Sequence, residues 1–219
     1  VNTMEHHRLN GTVQAEACRL LAKLASRRSR GCCKAIVAAN AIPAVVLAMH
    51  FHLTHFGLQE NAFLVLAFLE CIGKEEWQKV ILAANGIQAV WGALPHVSSH
   101  AALHNLMFIC LANLSFSSEA CCKAIEAANG IPTLVASMEQ HASDAEIQEN
   151  ACWLFANLAS YGQQDVCKSI VSGKAVPSLL SAMQKHPHDS GVQGMGCWAL
   201  SKLAEYGDAY SVSTNIATS

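Results

Sequence analysis

Eleven histidines and ten cysteines are the residues of this 219-residue chain whose types suit metal or nucleophile chemistry. His100 and His104 stand four apart, the spacing of a ligand pair on one helical face, but no Cys or acidic residue completes a set around them. His52, His141 and His186 recur at near-constant spacing, with Val97 in the same series. A polar or cationic residue at that place suits the C-terminal end of a helix. Cys32-Cys33 and Cys121-Cys122 are adjacent pairs, not the Cys-x-x-Cys spacing of a metal knuckle. No glycine-rich phosphate loop, nucleophile elbow, paired-carboxylate motif or kinase signature is present. Glu75, Glu76 and Glu149 read as solvated surface. The expectation is a chain without catalytic residues, metal ligands or cofactor.

Recognition chemistry remains, and it is periodic. Asn150, Trp153 and Asn157 are three and four apart, so they share one face of a helix. They lie in a stretch running from Gln148 to Leu158 that has degraded copies starting at Gln14, Gln59, His104 and Gln193. The starts are 45, 45, 44 and 45 residues apart. A constant period in this range means supersecondary units that bury their apolar faces by stacking on neighbours. Carried through the copies, the face becomes a stripe: Glu16, Arg19 and Lys23; Asn61, Leu64 and Phe68; Leu106, Ile109 and Asn113; Asn150, Trp153 and Asn157; Met195, Trp198 and Lys202. Burying Lys23, Asn113, Asn157 and Lys202 without partners would be costly, so the stripe is expected to face solvent.

The elements that must present this stripe are helices. Each copy is preceded by two shorter segments. The first carries Lys34-Ala35-Ile36, Lys79-Val80-Ile81, Lys123-Ala124-Ile125 or Lys168-Ser169-Ile170. It ends at a helix-stopping pair: Asn40-Ala41, Asn85-Gly86, Asn129-Gly130 or Lys174-Ala175. Pro43, Pro132 and Pro177 follow two residues later, with Gln88 in the remaining copy, and suit a helix's first turn. The second helices are therefore expected over Ala44–Met49, Ala89–Leu94, Thr133–Met138 and Ser178–Met183. Arg27, Arg28 and Arg30 form a short basic loop after the first long helix.

The organisation read from this is one repeat array over 1–219: the end of a repeat cut by the chain start at 1–29, repeats at 30–73, 74–117, 118–162 and 163–207, and the start of another repeat or a frayed tail at 208–219. The array is expected to belong to a longer protein with neighbouring repeats. Hydrophobic residues are 52% and charged residues 14%, too apolar for a disordered chain. The formal net charge of −2 gives no basic face for nucleic acid. The longest apolar run, Ala62–Leu69, is too short to enter a bilayer as a span. Cys18, Cys152 and Cys197 alternate in register with Phe63 and Phe108, and Cys33, Cys122 and Cys167 with Gln78. That alternation reads as buried packing by free thiols in the cytosol or nucleus, with no disulfide.

A three-helix unit with Ala128-Asn129-Gly130-Ile131-Pro132 between its first helices, and Cys152-Trp153-Leu154-Phe155-Ala156-Asn157-Leu158 in its third, resembles the armadillo repeat. The resemblance covers nearly the whole chain. It implies an all-α, right-handed solenoid whose third helices line a concave groove for peptides or partner helices. In importin-α-like members a Trp–Asn ladder on those helices holds a basic peptide. That pair is complete here only at Trp153 and Asn157. Asn113 has Ile109 in place of the Trp, and Trp198 has Lys202 in place of the Asn. The function expected is a protein-interaction scaffold, with an amphipathic or apolar-anchored segment as ligand. A nuclear transport adaptor and a structural segment of a cytoskeletal or ciliary assembly are the alternatives.

Overall fold

The computed structural model describes residues 1–69, 74–97 and 100–206; the expectation for 208–219 lies outside them. The chain divides into two compact units, Val1–Asn113 and Leu114–Ser219. Unit one contains α1 (Asn2–His6), α2 (Gly11–Ala25), α3 (Arg30–Ala38), α4 (Ala41–Phe51), α5 (Phe56–Phe68), α6 (Lys74–Ala83), α7 (Gly86–Val97) and most of α8 (Ala101–Ser115). Unit two contains α9 (Glu119–Ala127), α10 (Gly130–Gln140), α11 (Ala145–Tyr161), α12 (Gln163–Ser172), α13 (Ala175–Lys185) and α14 (Ser190–Tyr206). The described residues include no strand. The long third helices stack within each unit, α2 on α5 and α11 on α14; the second helices do likewise, α4 on α7 and α10 on α13. No single described helix is long and apolar enough to cross a membrane.

Local chemistry sets the helix ends. Third helices start at polar caps whose side chains accept a backbone N–H: Asn10 from Val13 at 3.1 Å, Asp144 from Ile147 at 3.2 Å and Asp189 from Val192 at 2.9 Å. Between the first and second helices, Asn40, Asn85, Asn129 and Lys174 take left-handed φ angles of 57°, 56°, 57° and 63°. The second helices begin at the next residue, three earlier than expected, so each proline lies inside the first turn. Those turn N–H groups have no helical acceptor anyway, so proline costs nothing there. At Gly86 a Cβ would come 2.5 Å from Cγ2 of Ile81, so the first helix packs against that backbone.

The residue that opens each long-helix copy performs one recurring task. Nε2 of Gln14 donates to the carbonyls of Met4 (2.7 Å) and His7 (2.9 Å). Gln59 donates to Met49 (3.0 Å) and His52 (3.1 Å), and Gln148 to Met138 (3.0 Å) and His141 (2.9 Å). Gln193 donates to Met183 (2.7 Å) and His186 (3.1 Å). One amide thus satisfies two carbonyls at the open end of the second helix. His7, His52, His141 and His186 are the C-cap residues of those helices, as the polar register suggested. The ring Nε2 of His52 donates to the Arg8 carbonyl at 2.8 Å, and that of His186 to the Ala142 carbonyl at 2.9 Å. These two bonds each tie a repeat to the one before it.

Cys18, Cys152, Phe63 and Phe108 are buried in the shared packing position. Cys197 is exposed, on the last helix described. The expectation of free thiols throughout is corrected at Cys33, which is disulfide-bonded. Register alone places Cys33 in the core but says nothing of a second sulfur meeting it. Burial pushes the Cys18, Cys122 and Cys152 thiols up to about 12, so they stay protonated in the folded state. Alkylation of the folded chain at about pH 8 is therefore expected to mark Cys197 first and to leave Cys18, Cys122 and Cys152 unmarked; peptide mass mapping reads the order. Early labelling of Cys152 would contradict the packing.

Candidate protein-binding site

The stripe emerges from helix geometry. Along α5, Asn61, Leu64 and Phe68 are partly exposed, and every residue between them is buried. Along α8 the same holds for Leu106, Ile109 and Asn113. Steps of three and four residues keep to one side of a helix, so these positions form one accessible line along each helix; Glu60 on α5 and Asn105 on α8 are open outside it. On α11, Asn150 and Trp153 are partly exposed with Ala151 and Cys152 buried between them. On α14, Met195, Trp198 and Lys202 are partly exposed. On α2, Glu16, Arg19 and Lys23 are exposed.

Asn157 departs from the expected solvent-facing stripe. It is completely buried, and its backbone carbonyl lies 3.9 Å from the Cys122 thiol of α9, which donates to it. The ladder pair that the sequence completes once is thus split, with Trp153 accessible and Asn157 covered. Asn61 and Asn150 are accessible but turn their amides back, donating to the carbonyls of Gly57 (2.6 Å) and Glu146 (3.0 Å) one turn earlier.

Charge on the stripe is uneven. Arg19 Nε donates to Glu16 at 2.9 Å, and this hydrogen bond holds the Glu16 carboxyl below its ordinary range. Lys202 Nζ donates to Glu205 at 2.8 Å. In unit one the Arg28 guanidinium lies over the Phe68 ring, 5.6 Å from its centroid, a cation–π contact. Sequence reasoning saw the basic loop and the aromatic separately; nothing in their spacing joined them. The histidines first weighed as a metal pair have other surroundings: His100 stacks on Phe56 with ring centroids 3.8 Å apart, and His104 is buried at the position of the recurring glutamine. A separate cleft in unit one, lined by Met4, Asn40, Pro43, Leu47 and Phe51, lies off the stripe.

The family model for the armadillo/beta-catenin-like repeat matches residues 119–160. An engineered protein of known crystal structure is 28% identical to the chain, with a TM-score of 0.77, over 93% of this chain and 80% of that one. A second engineered protein is 29% identical with a TM-score of 0.80, and this chain spans 47% of its length. A designed armadillo repeat protein in complex with the peptide (KR)4 is 17% identical with a TM-score of 0.72, over 94% of this chain and 91% of that one. A search of curated proteins found no match.

Proposed function

We propose, from the premise that this chain is built of armadillo-type repeats, that it is a protein-interaction scaffold whose third-helix stripe takes a segment of a partner protein. The observation that carries the reading is the alternation on α5 and α8. Leu64, Phe68, Leu106 and Ile109 stay partly open to solvent with buried residues between them along each helix, and Trp153 and Trp198 hold the same register in unit two. Large apolar side chains kept at the surface at one repeated position mark an interaction site, and half-buried aromatics are the usual anchors of binding energy. The ligand is an amphipathic or apolar-anchored segment of polypeptide. The designed repeat protein solved with (KR)4 supports a peptide ligand for this kind of fold.

A transport adaptor reading basic signals is disfavoured by Asn157, buried where a ladder asparagine must reach the peptide, and by the bases Arg19, Lys23 and Lys202 along the stripe. A spacer role predicts no use of the stripe at all. The cytosol or nucleus is the proposed compartment on the strength of the eight described free thiols, and the disulfide at Cys33 counts against it.

Panning a peptide library on the wild-type chain and measuring the selected peptides by fluorescence anisotropy tests the reading. Trp153→Ala or Phe68→Ala is expected to weaken such peptides by about 2 kcal/mol, about thirtyfold, with helicity unchanged. Peptides indifferent to every stripe substitution would favour the spacer. Tight binding of a lysine-rich peptide, lost on Trp153→Ala, would favour the adaptor.

A further inference from the structure

Unit one has a second surface whose composition the repeat does not require. On α4, Pro43, Leu47 and Phe51 are spaced by four residues, so they form one line along the helix, and all three are exposed. Leu47 is 36% and Phe51 52% open to solvent. In the other second helices the place of Leu47 is held by Asn2, Gly92, Ala136 and Ser181, and that of Phe51 by His6, His96, Gln140 and Lys185. Those residues are small or polar. The repeat therefore folds without large apolar groups at this register, and α4 alone carries two of them.

The line forms one wall of a cleft of about 170 Å³ between α4 and α1. Met4 and Ala48, both buried, also line it. The same cleft recurs in unit two between α10 and α13, where Met138, Pro177 and Ala182 take the places of Met4, Pro43 and Ala48. The cleft is thus a property of the repeat. Its character is not, because Ser181 and Lys185 stand in unit two where unit one has Leu47 and Phe51.

One polar atom in the unit-one cleft is unused. Gln14 is 1% exposed and lines the cleft. Its two amide hydrogens go to the carbonyls of Met4 and His7. That leaves Oε1, to which no described residue donates. At Gln59 the same oxygen is sealed from solvent. Glu5 and Arg8 stand at the mouth, one acid and one base, both exposed. Their charges cancel, so the mouth selects neither a polyanion nor a polycation.

We propose that this cleft is a second binding site, which takes the tryptophan side chain of a partner polypeptide. An apolar cavity of about 150 Å³ holds one benzene ring, so the cleft suits a single aromatic side chain, and its open side admits the backbone that carries it. Indole has an N–H donor and no acceptor, which matches the one acceptor left on Gln14. Phe51 and the Met4 thioether are both favourable neighbours for an aromatic ring. Leu47 and Phe51 carry the apolar surface past the cleft, which a polypeptide covers and a free ring does not. The site lies off the stripe and does not depend on the stripe binding anything.

The test is a ligand-observed NMR titration of the whole chain with a capped pentapeptide, glycine-serine-tryptophan-serine-glycine. The same peptide with benzothienylalanine, which has the shape of tryptophan but no N–H, is the control. The tryptophan peptide is expected to half-saturate the chain below about 1 mM, and the control to bind at least about fivefold more weakly for want of one hydrogen bond. Leu47→Ser with Phe51→Lys installs the residues that unit two already carries at this register; it should weaken the peptide at least about tenfold with the circular dichroism unchanged. Ala44→Leu, which fills the cleft and keeps α4 apolar, should do the same by a different route. Trp153→Ala should leave this binding unchanged, so the stripe and the cleft are read separately. No saturation by about 1 mM, equal affinity for the control, undiminished binding by both cleft variants, or loss on Trp153→Ala would each overturn the proposal.

Discussion

Phe155→Ala is expected to destabilise unit two by about 3–5 kcal/mol, the usual cost of emptying a fully buried aromatic site. Phe155 is completely buried in the middle of α11, a helix that packs on α10 and α14. Trp153, two residues earlier on the same helix, is partly exposed on the stripe. Trp153→Ala should therefore shift the urea midpoint much less while weakening binding. The pair separates the two faces of one helix: one aromatic holds the fold and the other meets the partner. Urea titration followed by circular dichroism reads the first effect. An unchanged midpoint for Phe155→Ala, or a larger loss for Trp153→Ala, would show that the faces have been assigned the wrong way round.

Gln148→Leu is expected to cost about 2–3 kcal/mol, because it removes two hydrogen bonds at once and leaves the Met138 and His141 carbonyls without their donor. Leucine preserves much of the volume, so the loss reads the hydrogen bonds and not a cavity. Gln59→Leu should cost a similar amount in unit one, where the partners are Met49 and His52. Chemical denaturation of each variant measures it. A neutral result at both positions would mean that water replaces the amide at these helix ends. A repeat protein spreads its stability over neighbouring interfaces, so each loss should appear in the unit that carries the substitution.

Much of the architecture was legible because repetition multiplies weak signals. A single Asn-Gly-Ile-Pro is an ordinary turn; Asn40, Asn85, Asn129 and Lys174 at one period are a hinge between helices, and all four take the left-handed conformation. The boundary still moved by three residues. A proline marks the first turn but not which residue of that turn it occupies. The glutamine that opens four copies was recognised as a repeat mark, but its task was not. Its acceptors lie seven and ten residues earlier across a loop, a distance that only a folded chain closes.

By itself the sequence determined the helical class, the three-helix period, the breaks between first and second helices and the face of each long helix that carries the candidate site, because these follow from local sterics and from spacing along one chain. The tertiary structure alone decided how open each position on that face is. Asn113 and Asn157 occupy the same place in the repeat, yet the first is partly exposed and the second is sealed. It also decided that Cys33 is disulfide-bonded and that Arg28 lies on a ring forty residues away. The physical reason is the same in each case: exposure and contact depend on the atoms that a neighbouring helix brings up, and a one-dimensional register says where a residue sits on its own helix but not what faces it.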